Sequence, residues 1–220
     1  MNTEVTCIGV ANVDVIAHID TAFLLRHRID KNTSTLMRSE DMLDIIPLLD
    51  HPVIVPGGCA ANTACGIALQ GVTTRFVGAI HDDEYGRLFR DAFVPYGVRF
   101  DPVMCLDKFT ALCLTLVTPD KDRSFVFSPN SASWTLSHYD LPDLDTNRDH
   151  IIYTETNLFR MTAGSKKTCL LDDLVEKYSG PNHKIILSLI DTEITEKNRQ
   201  ALHNMIKDKS LYMIISNHEE

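Results

Sequence analysis

The sequence lacks any apolar run approaching the roughly 20 residues of a membrane-spanning helix, and no basic segment followed by a long apolar stretch begins the chain. It also lacks an excess of positive charge, because 30 acidic side chains outnumber 21 basic ones and give a net charge of −9. The basic residues are scattered, so no stripe is available to neutralise a phosphate backbone. We therefore expect neither a membrane nor a nucleic acid as a partner.

Metal-site and disulfide patterns are missing as well. The six cysteines form no Cys-x-x-Cys pair and, together with the nine histidines, no spacing typical of a zinc site. No His-Glu-x-x-His sequence occurs, so no histidine is assigned to a metal or to catalysis. The cysteines are typical of buried thiols in a reducing compartment, which predicts a cytoplasmic protein.

What the chain does contain is a regular alternation of apolar and amphipathic segments. With 44% hydrophobic and 23% charged residues, 220 residues can form one globular domain with a sizeable core. Apolar runs predict strands, and amphipathic patterns predict helices, one of them capped by Asp82 or Asp83. The strands are expected at residues 5–10, 74–80, 99–103, 151–154, 184–190 and 211–216, and two of the helices at 83–96 and 166–178. This rhythm predicts a doubly wound, mostly parallel sheet with helices on both faces, spanning residues 1–220.

One part of the chain interrupts the alternation. Two extended runs, residues 111–118 and 123–127, are joined by Pro-Asp-Lys-Asp, which predicts a β-hairpin instead of a strand-helix unit. Together with earlier extended segments, the hairpin could build a small β-sheet lid from about residues 15–38 and 110–128. Residues 20–38 otherwise show only a weak, polar pattern.

A second feature is the segment 53–64, in which an apolar run stops at Pro56, Gly57 and Gly58 and a run of small residues follows. The pattern predicts a strand, a tight turn and a helix that ends at Gly71. Paired glycines allow the backbone to approach a ligand, and the first helical N–H groups point into the same space. Asn62 would lie in the first turn with its amide available. The alternative is a helix that is merely entered through a glycine turn.

Polar residues also follow two of the predicted strands. Asn12 and Asp14 come after the first strand, and Asn217 and Glu220 come after the last one. Ligands of open parallel sheets bind at the carboxyl ends of the strands. Each pair is therefore a candidate for binding, although Asp14 could equally close a turn and residues 217–220 could be a frayed polar segment.

Taken together, several separated motifs resemble one family, the ribokinase-like (PfkB) carbohydrate and nucleoside kinases, and within it the adenosine-kinase-like branch. The matching stretches are Pro-Gly-Gly-Cys-Ala-Ala-Asn-Thr at 56–63, Phe-Val-Gly-Ala-Ile at 76–80, Asp-Asp-Glu-Tyr-Gly at 82–86, the hairpin turn at 119–123 and Asn-His-Glu-Glu at 217–220. They occur in the family's order along essentially the whole chain.

The resemblance implies a kinase that transfers phosphate from ATP, with Mg²⁺, to a primary hydroxyl of a sugar or nucleoside such as adenosine. It places Asp14, Gly57, Gly58 and Asn62 at the substrate. Asn217 and Glu220 would organise ATP and Mg²⁺, Glu220 acting on the metal indirectly through water, and the lid residue Arg123 is a candidate contact with the site. The family's catalytic Gly-Ala-Gly-Asp motif does not occur in these 220 residues, which resemble the N-terminal two-thirds of such a kinase. No catalytic residue is therefore assigned in this chain.

Two departures from the family pattern bear on the substrate. Ribokinases proper have Lys where Cys59 stands, which disfavours free ribose. Related bacterial kinases have Gly and an aromatic residue where Thr156 and Asn157 stand, which leaves no aromatic platform for adenine there. The alternative function is a noncatalytic sugar- or nucleoside-binding or oligomerisation module, and the lid is a candidate surface for a homodimer.

Overall fold

The structure, a computed structural model, describes residues 3–162, 168–218 and 220. Its strands are β1 (Glu4–Ile8), β2 (Asn12–His18), β3 (Ser34–Leu36), β4 (Val53–Gly57), β5 (Thr73–Val77), β6 (Ala79–Ile80), β7 (Arg99–Phe100), β8 (Val103–Met104), β9 (Ala111–Val117), β10 (Arg123–Phe127), β11 (His150–Glu155), β12 (His183–Ser188) and β13 (Met213–Ile215). Its α-helices are α1 (Thr21–Arg26), α2 (Ser39–Ile45), α3 (Cys59–Leu69), α4 (Glu84–Asp91), α5 (Leu170–Lys177), α6 (Thr192–Lys197) and α7 (Arg199–Lys207).

The main sheet has six strands in the order β13-β12-β11-β1-β5-β7, and every neighbouring pair is parallel. Its central strands alternate between two cores, as parallel strands covered on both faces do. Val5 and Cys7 of β1 pack with residues of α3 and α4, whereas Ile8 packs with residues of α5 and α7. The predicted doubly wound, mostly parallel sheet with helices on both faces is therefore confirmed.

A second, mixed sheet has the order β3-β10-β9-β2-β4 and draws strands from both predicted lid segments. It also includes β4, the strand before the paired glycines, which pairs antiparallel with β2. One face of this smaller sheet is buried against α1 and α2, where Val13, Val15 and Leu114 meet Leu24 and Met42. The other face is partly exposed and carries Asp14, because side chains alternate along β2.

Several predicted boundaries differ from those of the structure. The strand expected at 74–80 ends at Val77 and is broken at Gly78, where only glycine fits because a Cβ would lie 2.5 Å from the Phe76 ring. Beyond the break, β6 pairs with β8 in a separate two-stranded ribbon, so the strand expected at 99–103 is divided as well. The helix expected at 166–178 begins at Leu170, and residues 166 and 167 lie outside the described part of the chain.

Other local features follow the sequence. Asp83 caps α4 by accepting a hydrogen bond from the Gly86 N–H at 2.7 Å. The helical region ends in a 3₁₀ turn before Gly97, whose φ of 66° is left-handed. Helix α1, in contrast, lies in the weak polar pattern of residues 20–38, where no helix was expected. Leu24 of this helix packs against the smaller sheet, and such a tertiary contact cannot be read from the local sequence pattern.

Candidate functional site

The candidate site lies where the chain order of the main sheet reverses. From β1 the chain continues to β5 on one side, whereas β11, β12 and β13 are added later on the other side. Ligands of open α/β sheets bind in the crevice that such a reversal leaves at the carboxyl ends of the strands. Here the crevice lies between residues 9–11 after β1 and the carboxyl end of β11.

Asp14 lies on β2, three residues beyond the loop that leaves β1. Its Oδ1 accepts a hydrogen bond from the Asn12 Nδ2 at 2.7 Å, and Cys113 of the neighbouring strand β9 donates to the same carboxylate. Burial nevertheless raises the pKa of Asp14, and these two hydrogen bonds only partly oppose that shift. The carboxylate is thus half-buried with few donors, and additional donors would stabilise its ionised form.

Gly57 and Gly58 bring the backbone directly against this carboxylate. A Cβ at Gly57 would lie only 2.2 Å from Asp14 Oδ2, so no larger residue fits there without displacing Asp14. Gly58 has φ 101°, a conformation that other L-residues rarely adopt, and a Cβ there would lie 2.5 Å from the Val10 carbonyl oxygen. Glycine is therefore needed at position 57 for the close approach to Asp14. At position 58 it is needed for the turn geometry and for the close approach to Val10.

Helix α3 starts immediately after this turn, with Gly58 as its N-cap residue. Asn62 lies in the first turn, where its backbone N–H donates to the Gly58 carbonyl at 2.9 Å. Its side chain is exposed and makes no hydrogen bond to any residue that the structure describes. The side-chain amide of Asn62 is therefore exposed in the first turn of α3, and its role in binding stays a prediction.

The side chain of Cys59, the first residue of α3, stands among three carboxylates. Burial raises the pKa of this thiol to about 11, and the charges of Glu155, Asp14 and Glu220 add to the shift. The same shift shows that Glu220, from the far end of the chain, comes close enough to act on the start of α3. The site is therefore strongly acidic, which favours cations and neutral hydroxyl donors over anions.

Asn217 and Glu220 form a reciprocal pair after β13. The Glu220 carboxylate accepts from the Asn217 N–H at 3.1 Å, and the Asn217 side-chain oxygen accepts from the Glu220 N–H at 3.1 Å. Carboxylate and amide oxygens suit Mg²⁺, which usually keeps most of its waters and uses one or two carboxylates. The residues present therefore fit a hydrated Mg²⁺ ion. No group of three or more His, Cys, Asp or Glu side chains in the described part of the chain is arranged to hold a metal directly.

Arg123 is not brought to this cluster. It begins β10 opposite Val117, whereas Asp14 is level with Cys113, four residues further along β9. Four residues of extended chain correspond to about 13 Å, at roughly 3.3 Å per residue. Arg123 therefore lies at the far end of the smaller sheet from Asp14.

Glu155 was not singled out by the sequence analysis, yet it is the most deeply buried acid at the site, with 1% of its surface exposed. Its Oε1 accepts from the Val10 N–H at 3.0 Å, and its Oε2 accepts from the Ala60 N–H at 3.1 Å. Burial raises its pKa, and the donors from Val10, Asn157 and Ala60 oppose the shift. The available signal in the sequence was a lone acid at the carboxyl end of a predicted strand.

Comparison with known proteins identifies the family. The family model described as "pfkB family carbohydrate kinase" matches residues 36–220, which is most of the chain. The chain belongs to the pfkB family. The predicted family resemblance is thereby confirmed.

The curated relatives are fructokinases. Fructokinase-1 of Oryza sativa subsp. japonica is 36% identical over 116 residues, covering 46% of this chain and 35% of its own length. Probable fructokinase-7 of Arabidopsis thaliana is 31% identical over 111 residues, covering 44% of this chain and 31% of its own length. The matches thus span about a third of these relatives.

Among solved structures, adenosine kinase from Sinorhizobium meliloti superposes with a TM-score of 0.83 at 24% identity, over 100% of this chain and 66% of the other. At that identity the likeness shows the shared fold.

No helix in the described residues is long and apolar enough to cross a bilayer.

Proposed function

We propose that the chain carries the acceptor-binding part of an ATP-dependent kinase that phosphorylates a primary hydroxyl of a sugar or nucleoside. The observation that supports this most strongly is the half-buried Asp14 carboxylate, held against Gly57 and partly lacking donors. An ionised carboxylate can accept hydrogen bonds from two neighbouring hydroxyls at once. Such a vicinal pair is present in both fructose and the ribose of adenosine.

The surroundings of Asp14 suit a molecule with both hydroxyls and apolar carbon surface. Residues paired across the smaller sheet point to the same face, so Val55, Asp14, Cys113 and Phe127 form one row. The carboxylate stands in the middle, with apolar side chains on both sides. This row would receive the ring of a sugar or nucleoside, while Asn62 bonds a further hydroxyl and Gly57 and Gly58 leave room for it.

Phosphoryl transfer depends on positioning and charge neutralisation more than on covalent chemistry. Bound Mg²⁺ would supply charge neutralisation for the ATP phosphates. Asn217 and Glu220 would hold its water shell, and their position near Cys59 puts them beside the acceptor cluster. ATP and Mg²⁺ are therefore the proposed co-substrate and cofactor.

A second candidate function is a noncatalytic binding or oligomerisation module. The observation that favours it is the exposed apolar surface of the smaller sheet, where Leu36, Val53 and Val55 are 65%, 56% and 38% exposed. We propose that this face acts as a lid over the acceptor or pairs with a second copy of the chain. Size-exclusion chromatography with light scattering, with Leu36→Lys as the variant, tests the pairing, since a charge there would dissociate a dimer.

The proposed acceptor binding is tested by isothermal titration calorimetry of the 220-residue chain with D-fructose, adenosine and, as an anionic comparison, fructose 6-phosphate. We expect saturable binding of one neutral ligand and none of the phosphate ester, because Asp14, Glu155 and Glu220 make the site acidic. Equal or tighter binding of the phosphate ester, or binding of neither neutral ligand, would contradict the proposal.

A further inference from the structure

Glu155 ties together two backbone segments that are far apart in sequence. The Val10 N–H, in the loop between β1 and β2, donates to one oxygen of the carboxylate, and the Ala60 N–H, in the first turn of α3, donates to the other. The Asn157 side chain also donates to Oε1, at 3.3 Å. Val10 lies four residues before Asp14, and Ala60 lies two residues from both Gly58 and Asn62. Glu155 therefore holds two segments that carry candidate site residues.

The fit around the carboxylate is close. A Cβ at Gly9 would lie 2.8 Å from Glu155 Cδ and 2.7 Å from the Ala60 Cβ, so the glycine is needed for the side chain to reach both amides. The amide of Ala60 belongs to the first turn of α3, where N–H groups have no acceptor within the helix. Glu155 supplies that acceptor, and its negative charge is also favourable at a helix N-terminus.

Both oxygens of Glu155 are engaged by the protein backbone, and the side chain is 1% exposed. A ligand in the crevice therefore meets the segments that Glu155 holds and does not meet Glu155 itself. We propose that Glu155 is a positioning residue, which sets Asp14 on β2 and the Gly57–Gly58 turn at the separation that binds vicinal hydroxyls. This inference rests on the acceptor site proposed above.

Replacing Glu155 by Gln distinguishes positioning from simple structural support. A glutamine side chain has one carbonyl oxygen and one NH₂ group, so it can accept from only one of the two backbone amides. At the same time it removes a charge from a buried site where burial disfavours ionisation, as the raised pKa of Glu155 reflects. The titratable neighbours are the thiols of Cys7 on β1 and Cys59 on α3, whose pKa values Glu155 helps to raise. The two changes oppose each other in overall stability, because a buried amide left without an acceptor is itself costly, whereas both loosen the local geometry.

The experiment compares wild type, Glu155→Gln and the control Glu176→Gln, whose side chain is exposed on α5. Amide hydrogen exchange of Val10 and Ala60 is followed by NMR, thermal stability by calorimetry, and affinity for adenosine and D-fructose by titration. In Glu155→Gln we expect faster exchange of at least one of the two amides and roughly a tenfold or greater loss of affinity, or ~1.4 kcal/mol, because the two segments are no longer held at one separation; the Tm shows whether the variant stays folded at the assay temperature. The control should match wild type in all three measurements.

The possible outcomes separate this inference from the proposed function. If wild-type Ala60 exchanges as fast as an unprotected first-turn amide, Glu155 does not hold the helix start and the inference fails, even if the variant cannot be folded. If affinity falls only as far as the unfolded fraction of the variant accounts for, Glu155 is only structural, and if neither affinity nor exchange changes, it positions nothing. If wild type binds neither ligand, the acceptor site is refuted, whereas the exchange rates still decide whether Glu155 joins the two segments.

Discussion

Strand β11 has a buried titratable residue at each end, and the two residues differ in how many hydrogen bonds they make. At the carboxyl end, Glu155 receives hydrogen bonds from Val10, Ala60 and Asn157. At the amino end, His150 is 3% exposed and neither ring nitrogen has a hydrogen-bond partner within the described structure. A buried polar group without a hydrogen-bond partner is costly. The comparison indicates that the polar contacts of β11 are concentrated at its carboxyl end.

The amino end is a small aromatic cluster. His150 pairs in register with His183 of β12, their ring centroids are 5.8 Å apart, and the His183 ring meets Tyr178 edge-on at 5.7 Å. Desolvation and the neighbouring His150 lower the pKa of His183. The ionisable group of opposite sign nearby is Asp145, whose pKa His150 helps to lower. Within the described residues, the four ring nitrogens of this histidine pair lack the hydrogen bonds that engage Glu155 at the carboxyl end.

The largest expected effect concerns the candidate site at the carboxyl ends of the strands, and whether it supports phosphoryl transfer or only binding. We predict that the purified 220-residue chain binds its acceptor but shows no appreciable phosphoryl transfer, because the sequence contains no Gly-Ala-Gly-Asp motif. The loss of one donor that stabilises transition-state charge typically costs about a hundred- to a thousandfold in rate. A coupled assay of ADP production, with and without acceptor, measures this. Turnover at an ordinary rate of about 1 per second or more would reveal a catalytic base that is not recognised here.

The next largest effect is expected at the glycine turn. Gly58→Ala puts a Cβ 2.5 Å from the Val10 carbonyl at a φ of 101°, so the backbone must move away from Asp14. Strain of this kind costs about 1–3 kcal/mol of stability, and because the shift that relieves it displaces the turn, we expect roughly a tenfold loss of affinity, or ~1.4 kcal/mol. The matched control is Gly66→Ala on the same helix, where a Cβ meets nothing within 4 Å. Titration of both variants with the same acceptor should show the loss only for Gly58→Ala.

A smaller effect, on thermal stability at acid pH, is expected from the histidine pair at the amino end of β11. Because the folded-state pKa of His183 lies below its unfolded value, the unfolded chain binds more protons as the pH falls below about 6.5. Stability is therefore lost on acidification from that pH down to the folded pKa. We expect a small decrease in Tm over that pH range, limited because His183 is partly exposed.

His183→Phe should remove that acid-dependent part of the Tm decrease, whereas His51→Asn, at a fully exposed histidine, should leave it in place. Thermal melts between pH 7 and pH 5 measure both. If His183→Phe and wild type lose the same number of degrees, the buried pair is not the source of the pH dependence.

The smallest effect is expected at the far end of the smaller sheet. Arg123→Ala should change acceptor affinity by less than about twofold, or ~0.4 kcal/mol, because Arg123 is level with Val117 and not with Cys113. Titration against wild type measures the change. A tenfold loss would show that the sheet bends over the acceptor and brings Arg123 to it.

The sequence predicted those parts of the molecule that depend on local pattern. The parallel sheet was predicted from the alternation of apolar and amphipathic segments. The turn at Gly57–Gly58 was predicted from the proline and the two glycines that end an apolar run. Helix α1 and the place of β4 in the smaller sheet could not be predicted, because both depend on contacts with distant strands. Glu155 was missed for the same reason, since its partners Val10 and Ala60 are 145 and 95 residues away.

The most direct test of the account is the affinity of Asp14→Asn for the acceptor that wild type binds, measured from pH 7 to pH 4 with Asp50→Asn as an exposed control. Removing the charge while keeping the shape should weaken binding roughly ten- to a hundredfold, since hydrogen bonds to a charged group contribute about 1.5–3 kcal/mol. Asn62→Ala, which removes only a neutral amide, should cost less.

Hydroxyls donate to the ionised carboxylate, and the pKa of Asp14 is raised. Wild-type affinity should therefore fall as the pH is lowered through that pKa, while the affinity of Asp14→Asn should stay flat. A folded Asp14→Asn variant that binds as tightly as wild type at pH 7, or that shows the same pH profile, would contradict the central claim that Asp14 receives the acceptor's hydroxyls.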